Sequence, residues 1–215
     1  MKPVLWILVG IAILGGIAIL VIVLRGLWTR RAEASYHDAL DRSLQLSSPA
    51  FENKGRIPAE FSCEGPGGSP PLTWANVPEG TRSYVLIVTD VDIPSPRLQL
   101  TEFVHWVLYD LPGGTRALDA RITLNELARL EAVMGRNGYG QREYVSPCPV
   151  SGTHHYVYRL YALDVEDLQP RQDSKGGMLK AMEGHVLAYG ELIGAYQCTT
   201  IKGLSALRRA MSSQS

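Results

Sequence analysis

The chain has 215 residues, of which 46% are hydrophobic and 20% charged, and its formal net charge is zero. This is ordinary globular composition, which excludes a disordered or low-complexity chain and suffices for one domain with its own core, since domains commonly run to ~100–150 residues. Between positions 44 and 198 thirteen basic groups face eighteen acidic ones, and so acidic a body excludes nucleic acid as a partner, because phosphates require a basic face.

Taken in chain order, Val4–Leu24 is an unbroken run of 21 apolar or glycine residues. As a helix it would span ~30 Å, the thickness of bilayer hydrocarbon. Trp6 and Trp28 bracket it as interfacial aromatics would. A cleaved signal peptide is the alternative, with Ala32-Glu33-Ala34 as a small-x-small site, but the run exceeds a signal core of ~7–15 residues. The expectation is therefore a transmembrane anchor over 1–28 and a single-pass membrane localisation. Arg25, Arg30 and Arg31 lean the orientation towards a cytoplasmic domain.

Residues 29–45 read as a polar stalk, residues 46–198 as the folded domain, and residues 199–215 as a basic tail suited to an anionic membrane surface. Within the domain, turn signals are dense: Gly65-Pro66-Gly67-Gly68, Pro70-Pro71, Pro94-Ser95-Pro96 and Pro112-Gly113-Gly114. Between them, Ser83–Thr89 has the aliphatic content of a buried central strand, and Phe103–Leu111 and His155–Leu163 are rich in β-branched and aromatic residues. Many short strands with Pro/Gly turns predict an all-β sandwich. Thr123-Leu124-Asn125-Glu126 is a capping box, predicting a helix that carries Leu127, Leu130 and Met134 on one face. Ser174 can cap a second helix with Met178, Leu179 and Met182, stopped by Gly184. By pattern alone, His185–Tyr196 is equally strand or helix.

Three segments could carry chemistry: Asp90-Val91-Asp92-Ile93-Pro94, Phe103-Val104-His105-Trp106, and Ser146 through Tyr156 with His154 and His155. Loops and strand ends cluster at the ends of a sandwich, so these carboxylates and imidazoles can converge. Alternation puts His105 on the face of Phe103, Val107 and Tyr109. A single histidine on an apolar face is ordinarily a hydrogen-bonded core residue, so His105 alone carries little.

Nine motifs occur in an order that resembles the bacterial branch of the phosphatidylethanolamine-binding (Raf-kinase-inhibitor-like) family. They are Ser48-Pro49-Ala50-Phe51, Arg56-Ile57-Pro58, Phe61-Ser62-Cys63, Ser69-Pro70-Pro71-Leu72-Thr73-Trp74, Val77-Pro78-Glu79-Gly80-Thr81, Asp90-x-Asp92-x-Pro94, Val104-His105-Trp106-Val107, Pro147-Cys148-Pro149 leading to Gly152-Thr153-His154, and Glu191-Leu192-Ile193-Gly194. The resemblance implies a mostly β fold, a two-sheet antiparallel β-sandwich with flanking helices, here preceded by the transmembrane helix. It also implies that His185–Tyr196 is strand; Ala120–Met134 is longer than that family's pattern, its capped helix expected as a surface insertion, with a lid as the alternative.

The resemblance further implies a pocket for a phosphate-type anion or phospholipid head group, formed by Asp90, Asp92, His105, Tyr144 and His154. Imidazole N–H groups would donate to phosphate oxygens, and a carboxylate would orient an imidazole or face an ammonium. The expected function is that of a membrane-anchored binding protein, not an enzyme, without cofactor or resident metal. Its partners would be a small anionic ligand, the membrane through Val4–Leu24, and a protein target or a second copy of itself. Alternatives are a protease- or kinase-inhibitory module, a hydrolase using Asp90, His105 and His154, and a metal site built from those residues and Asp92. Cys63 and Cys148 lie in family-matching loops; they are the pair expected to bridge in an oxidising compartment, leaving Cys198 free, with three unpaired thiols as the alternative.

Overall fold

The computed structural model describes residues 2–199, apart from the side chains of residues 2–13, 18, 19 and 22. The predicted basic tail, from 200 onward, lies outside the described residues, as does most of the Val4–Leu24 side-chain run. The chain forms two compact units, Met1–Ala39 and Leu40–Ser215. The first is a helix, α1 (Lys2–Asp38).

The expected membrane anchor and single-pass localisation require correction. Among the described residues no helix is long and apolar enough to cross a membrane. The described side chains of α1 soon meet Arg25, Arg30, Arg31 and Glu33, so they supply no continuous apolar stretch of that length. The stalk reading also changes. Helix runs through Asp38, and residues from Leu40 belong to the second unit, where Leu44 is buried and the Asp41 carbonyl accepts the Tyr189 N–H at 2.7 Å.

The second unit is built on two antiparallel sheets. The smaller comprises β1 (Gln45–Ser47), β2 (Leu72–Ala75) and β5 (Ala117–Leu118), in the order β1-β2-β5. The larger comprises β3 (Ser83–Ser95), β4 (Leu98–Pro112), β6 (Val133–Met134), β7 (His154–Leu163) and β8 (Val186–Tyr196), in the order β6-β4-β3-β7-β8. The mostly β, two-sheet expectation is met. Ser83–Thr89 is central, as its aliphatic content predicts, and its residues are buried on both faces. One core unites Leu46, Leu72 and Trp74 of the small sheet with Tyr84, Leu86, Trp106, Tyr158 and Leu192 of the large one. His185–Tyr196 is strand from Val186 onward.

The helices are shorter than their apolar spacing suggests. The Thr123 cap accepts the Glu126 N–H, and Glu126 reaches back to the Thr123 N–H, but α2 spans only Leu124–Arg129. Glu131 adopts a left-handed φ of 57°, which ends the helix and turns Val133–Met134 into β6, paired with Tyr109 and Leu108. Met134 is thus an edge-strand residue rather than part of the helix. Ser174 caps α3 (Lys175–Ala181), which buries Met178, with Met182 buried just past its end. Gly184 follows with φ 82°.

Away from the core face, one polar group ties three strands together. Arg159 of β7 donates to Thr89 of β3 at 3.0 Å and to Glu191 of β8 at 3.3 Å, and the Tyr189 hydroxyl donates to Glu191 at 2.6 Å.

Candidate functional site

The Asp90 end of β3 meets Phe103 of β4 on one side and Tyr156 of β7 on the other. Asp90 is 3% exposed and His154, at the start of β7, is also 3% exposed. Their side chains lie 2.7 Å apart, His154 Nδ1 donating to Asp90 Oδ2. The other ring nitrogen, Nε2, lies 3.1 Å from the Ser151 carbonyl. Both partners are acceptors, an arrangement that favours the doubly protonated imidazolium. Burial opposes that charge most strongly, yet the hydrogen bond and charge of Asp90 prevail and raise the His154 pKa.

His105 reaches the site through a β-bulge. Val88 pairs with Trp106 and Thr89 with Val104, leaving His105 unpaired between them. Bulges re-aim side chains, and this one breaks the alternation expected through β4. The His105 ring keeps an edge contact with Phe103, at 4.9 Å between centroids, and gains another with the buried Tyr156, at 5.0 Å. Its Nδ1 donates to the Val145 carbonyl at 2.6 Å. Burial, only partly countered by that carbonyl and by Asp90, lowers its pKa to about 4. His105 is therefore neutral at physiological pH. With its proton on Nδ1, its Nε2 is an acceptor, not the phosphate donor expected of it.

Asp92 is fully buried and sits in a separate arrangement. It accepts the backbone N–H of His155 at 2.8 Å and the His155 Nδ1 at 2.7 Å, and its other oxygen accepts Gln99 Nε2 from the β3–β4 hairpin. Burial would raise its pKa, but the bonds from His155 and Gln99 outweigh burial and hold the carboxyl below its usual range. The Asp92 N–H in turn donates to Asp90 Oδ1 at 2.9 Å, so the two carboxylates are structurally coupled.

Tyr144 is not hydrogen-bonded to these groups. Its hydroxyl lies 3.2 Å from that of Tyr158, its ring stands edge-on to Trp106 at 5.3 Å, and burial raises its pKa. The next residues hold the loop: the Val145 N–H donates to the His105 carbonyl at 3.0 Å, and Ser146 Oγ accepts the Gly68 N–H at 2.9 Å. Gly67 and Gly68 both have positive φ, 77° and 89°, which glycine accommodates without strain.

Thus the structure brings Asp90, His105 and His154 together, attaches Asp92 through backbone and hairpin, and packs the partly buried Tyr144 against the core, where it lines a cleft with Trp106 and Gly68. Sequence reasoning missed three contributors. Tyr156 follows His154 by two residues and so shares its face, a signal that was legible. His155 is adjacent, but its role depends on Asp92 facing β7. Gln99 depends on the hairpin register, which no short motif encodes. Among the described residues, the side chains gathered within metal-ligating reach of one another are not these but Cys63, Cys148 and Cys198. Cys63 and Cys148 are bridged, as expected of the two family-matching loops, with Cα atoms 5.4 Å apart, and Cys198 is a free thiol.

The family model for phosphatidylethanolamine-binding protein matches residues 47–197. The chain belongs to the phosphatidylethanolamine-binding protein family. A UPF0098 protein of Methanothermobacter thermautotrophicus is 42% identical over 157 residues, covering 72% of this chain and 99% of that protein. A UPF0098 protein of Chlamydia trachomatis is 38% identical over 154 residues, with the same coverage of 72% and 99%. Among solved structures, a putative phosphatidylethanolamine-binding protein homologue from Chlamydia trachomatis superposes with a TM-score of 0.65 at 36% identity, covering 74% of this chain and 99% of that one. Escherichia coli YbcL, described as a member of the mammalian family, superposes with a TM-score of 0.62 at 27% identity, covering 73% and 99%. The match spans every residue of the site, from Asp90 to Tyr156, and omits α1.

Proposed function

We propose that this member of the phosphatidylethanolamine-binding family is a binding protein for a phosphate-type anion or phosphorylated head group, recognised at Asp90, His105, His154 and Tyr156. The observation that carries the reading is the buried Asp90–His154 ion pair beside a buried, neutral His105. The imidazolium supplies positive charge for a phosphate. The His105 Nε2 accepts a proton donor, either the O–H of a phosphate monoanion or the N–H of an ammonium group. Asp90, and Asp92 behind it, favour that cationic end.

Binding is preferred to catalysis because the open imidazole lone pair, on His105 Nε2, belongs to a weak base with a pKa of about 4, and the other ring nitrogens of His105 and His154 are committed. Both His154 nitrogens are held, His105 Nδ1 is held, and the Thr153 hydroxyl donates to Gln197 at 3.0 Å. A general base needs an available lone pair within reach of a nucleophile.

Calorimetric titration of the full chain with inorganic phosphate and with phosphorylethanolamine tests the proposal. Binding should be tighter at pH 6 than at pH 8, because a bound anion raises the His154 pKa further and because a phosphate monoester with a second pKa of ~6 then keeps its proton for His105. His105→Phe should weaken both ligands while leaving the Asp90–His154 pair in place. No heat from either ligand at millimolar concentration and pH 6, with the chain folded, would sink the reading.

A further inference from the structure

We propose that Cys63, Cys148 and Cys198 form, once the Cys63–Cys148 disulfide is reduced, a three-thiolate site for a thiophilic divalent cation of the zinc or cadmium kind. This site adjoins the Asp90–His105–His154 site through Tyr156, which is hydrogen-bonded to the Cys148 backbone, but shares none of its residues.

The sulfur geometry carries the inference. The three Sγ atoms lie within 4.8 Å of one another, and Cys63 Sγ and Cys198 Sγ are 3.9 Å apart. Zinc–sulfur bonds of ~2.3 Å place ligand sulfurs about 3.8–4.0 Å apart, whether the site is tetrahedral or trigonal. One edge of the required triangle therefore already has its final length. The Cys63–Cys148 edge opens when the bridge is reduced, between Cα atoms that are 5.4 Å apart.

The backbone holds the three segments together without help from the disulfide. The Cys63 N–H donates to the Pro147 carbonyl at 3.1 Å, beside Cys148. Ser62 Oγ donates to the Tyr196 hydroxyl at 2.6 Å, two residues before Cys198. The Thr199 N–H, just after Cys198, donates to the Glu64 carboxylate at 3.0 Å. All three cysteines are partly exposed, so a cation can enter. The Glu64 oxygens are occupied by Tyr196 and Thr199, which leaves water as the fourth ligand.

The chemistry balances. A thiol-class reductant delivers two electrons and two protons, the Cys63–Cys148 S–S bond breaks, and the reductant's own sulfurs join in a disulfide. The cation then displaces one proton from each of three thiols, giving a tri-thiolate complex with one net negative charge. Cys198 is the residue that makes this more than a structural disulfide: it adds the third sulfur and takes no part in the bridge.

The test uses the full chain, reduced with a phosphine that does not bind the metal, and titrated with cadmium. The expected result is one cadmium per chain, a sulfur-to-cadmium charge-transfer band, and protection of three thiols from alkylation. The oxidised chain should show no such band. Cys198→Ser leaves the oxidised fold and its disulfide intact, and in the reduced state should weaken binding beyond the roughly 10–100-fold that outer-shell changes cost. Equal affinity of the wild-type and Cys198→Ser chains would overturn the proposal. Loss of near-ultraviolet circular dichroism on reduction would overturn it too, since the triangle would not then survive opening of the bridge.

Discussion

His105 offers a quantitative test of the site through acid. It is carried neutral, with a pKa of about 4 in the folded chain, against an ordinary 6.5. The sign follows from proton binding: below pH ~6.5 the unfolded chain takes up a proton that the folded chain refuses, so stability falls as the pH drops from ~6.5 towards ~4 and then levels off. Each tenfold loss of proton affinity on folding is worth ~1.4 kcal/mol, so the full loss from His105 is about 3 kcal/mol, with ~2.5 kcal/mol of it reached by pH 4.5. His105→Phe keeps a ring against Phe103 and Tyr156 but cannot titrate. At pH 7 it should be less stable than wild type, by ~1 kcal/mol or more for the Val145 carbonyl left without its donor. The difference should shrink with falling pH and, for a deficit of ~1 kcal/mol, reverse near pH ~5.7. Urea unfolding followed by tryptophan fluorescence at half-unit steps from pH 7 to 4.5 gives both curves. Parallel curves across that range would refute the reasoning, as would a His105 imidazole that titrates near 6.5 by nuclear magnetic resonance.

Other outcomes follow from neighbouring geometry. The His154 pKa is raised on folding, so its contribution is complete below ~6.5 and is lost as the pH climbs through the folded value; Asp90→Asn strands the buried imidazolium and should cost ~3–5 kcal/mol at pH 6, read by thermal melting. Asp92 has the opposite dependence: its stabilisation should disappear only as the pH falls below ~3.8, and Asp92→Asn should flatten that acid limb of the unfolding curve. Replacing Cys63 and Cys148 together by serine opens a loop of 85 residues and should cost up to ~4.5 kcal/mol by chain entropy, seen as a lower urea midpoint under oxidising conditions. Gly190→Ala would put a methyl group 2.5 Å from the Leu44 carbonyl oxygen and should destabilise by ~1–3 kcal/mol, measured in the same way.

Much of the fold could be read from the chain because its strands are long and their burial is two-sided. Ser83–Thr89, Phe103–Leu111 and His155–Leu163 carry enough aliphatic and aromatic residues to declare themselves. What escaped was decided by single backbone events. A left-handed Glu131 cut short a helix whose cap and apolar spacing were both correct. One extra residue in β4 leaves His105 beside Phe103 but out of step with Val107 and Tyr109. The site residues Asp90, His105 and His154 were legible through family motifs. Their protonation was not, because it depends on which carbonyls and carboxylates the fold delivers to each ring nitrogen. Tyr144 was legible only as a family position, because its hydroxyl partner, Tyr158, lies on β7 and no short motif encodes that contact. The long apolar stretch near the start spoke clearly for an anchor, but no helix among the described residues is long and apolar enough to cross a membrane.

The Thr89–Arg159–Glu191 tie bears on how the chain avoids mispairing. Arg159 stands opposite Glu191 in the ladder, and His154 stands opposite Tyr196. Sliding β8 along β7 by one residue would turn its apolar side chains to the wrong face, an error that hydrophobic burial alone rejects. Sliding it by two preserves inside and outside, although it brings Ala188 or Leu192 to the place where Gly190 meets the Leu44 carbonyl. That slide would set Arg159 against Tyr189 or Ile193 and leave a largely buried guanidinium without its carboxylate, a penalty of ~1–3 kcal/mol. The ion pair thus adds a polar penalty against a two-residue slip of β8, and so keeps Tyr196 opposite His154 in the ladder.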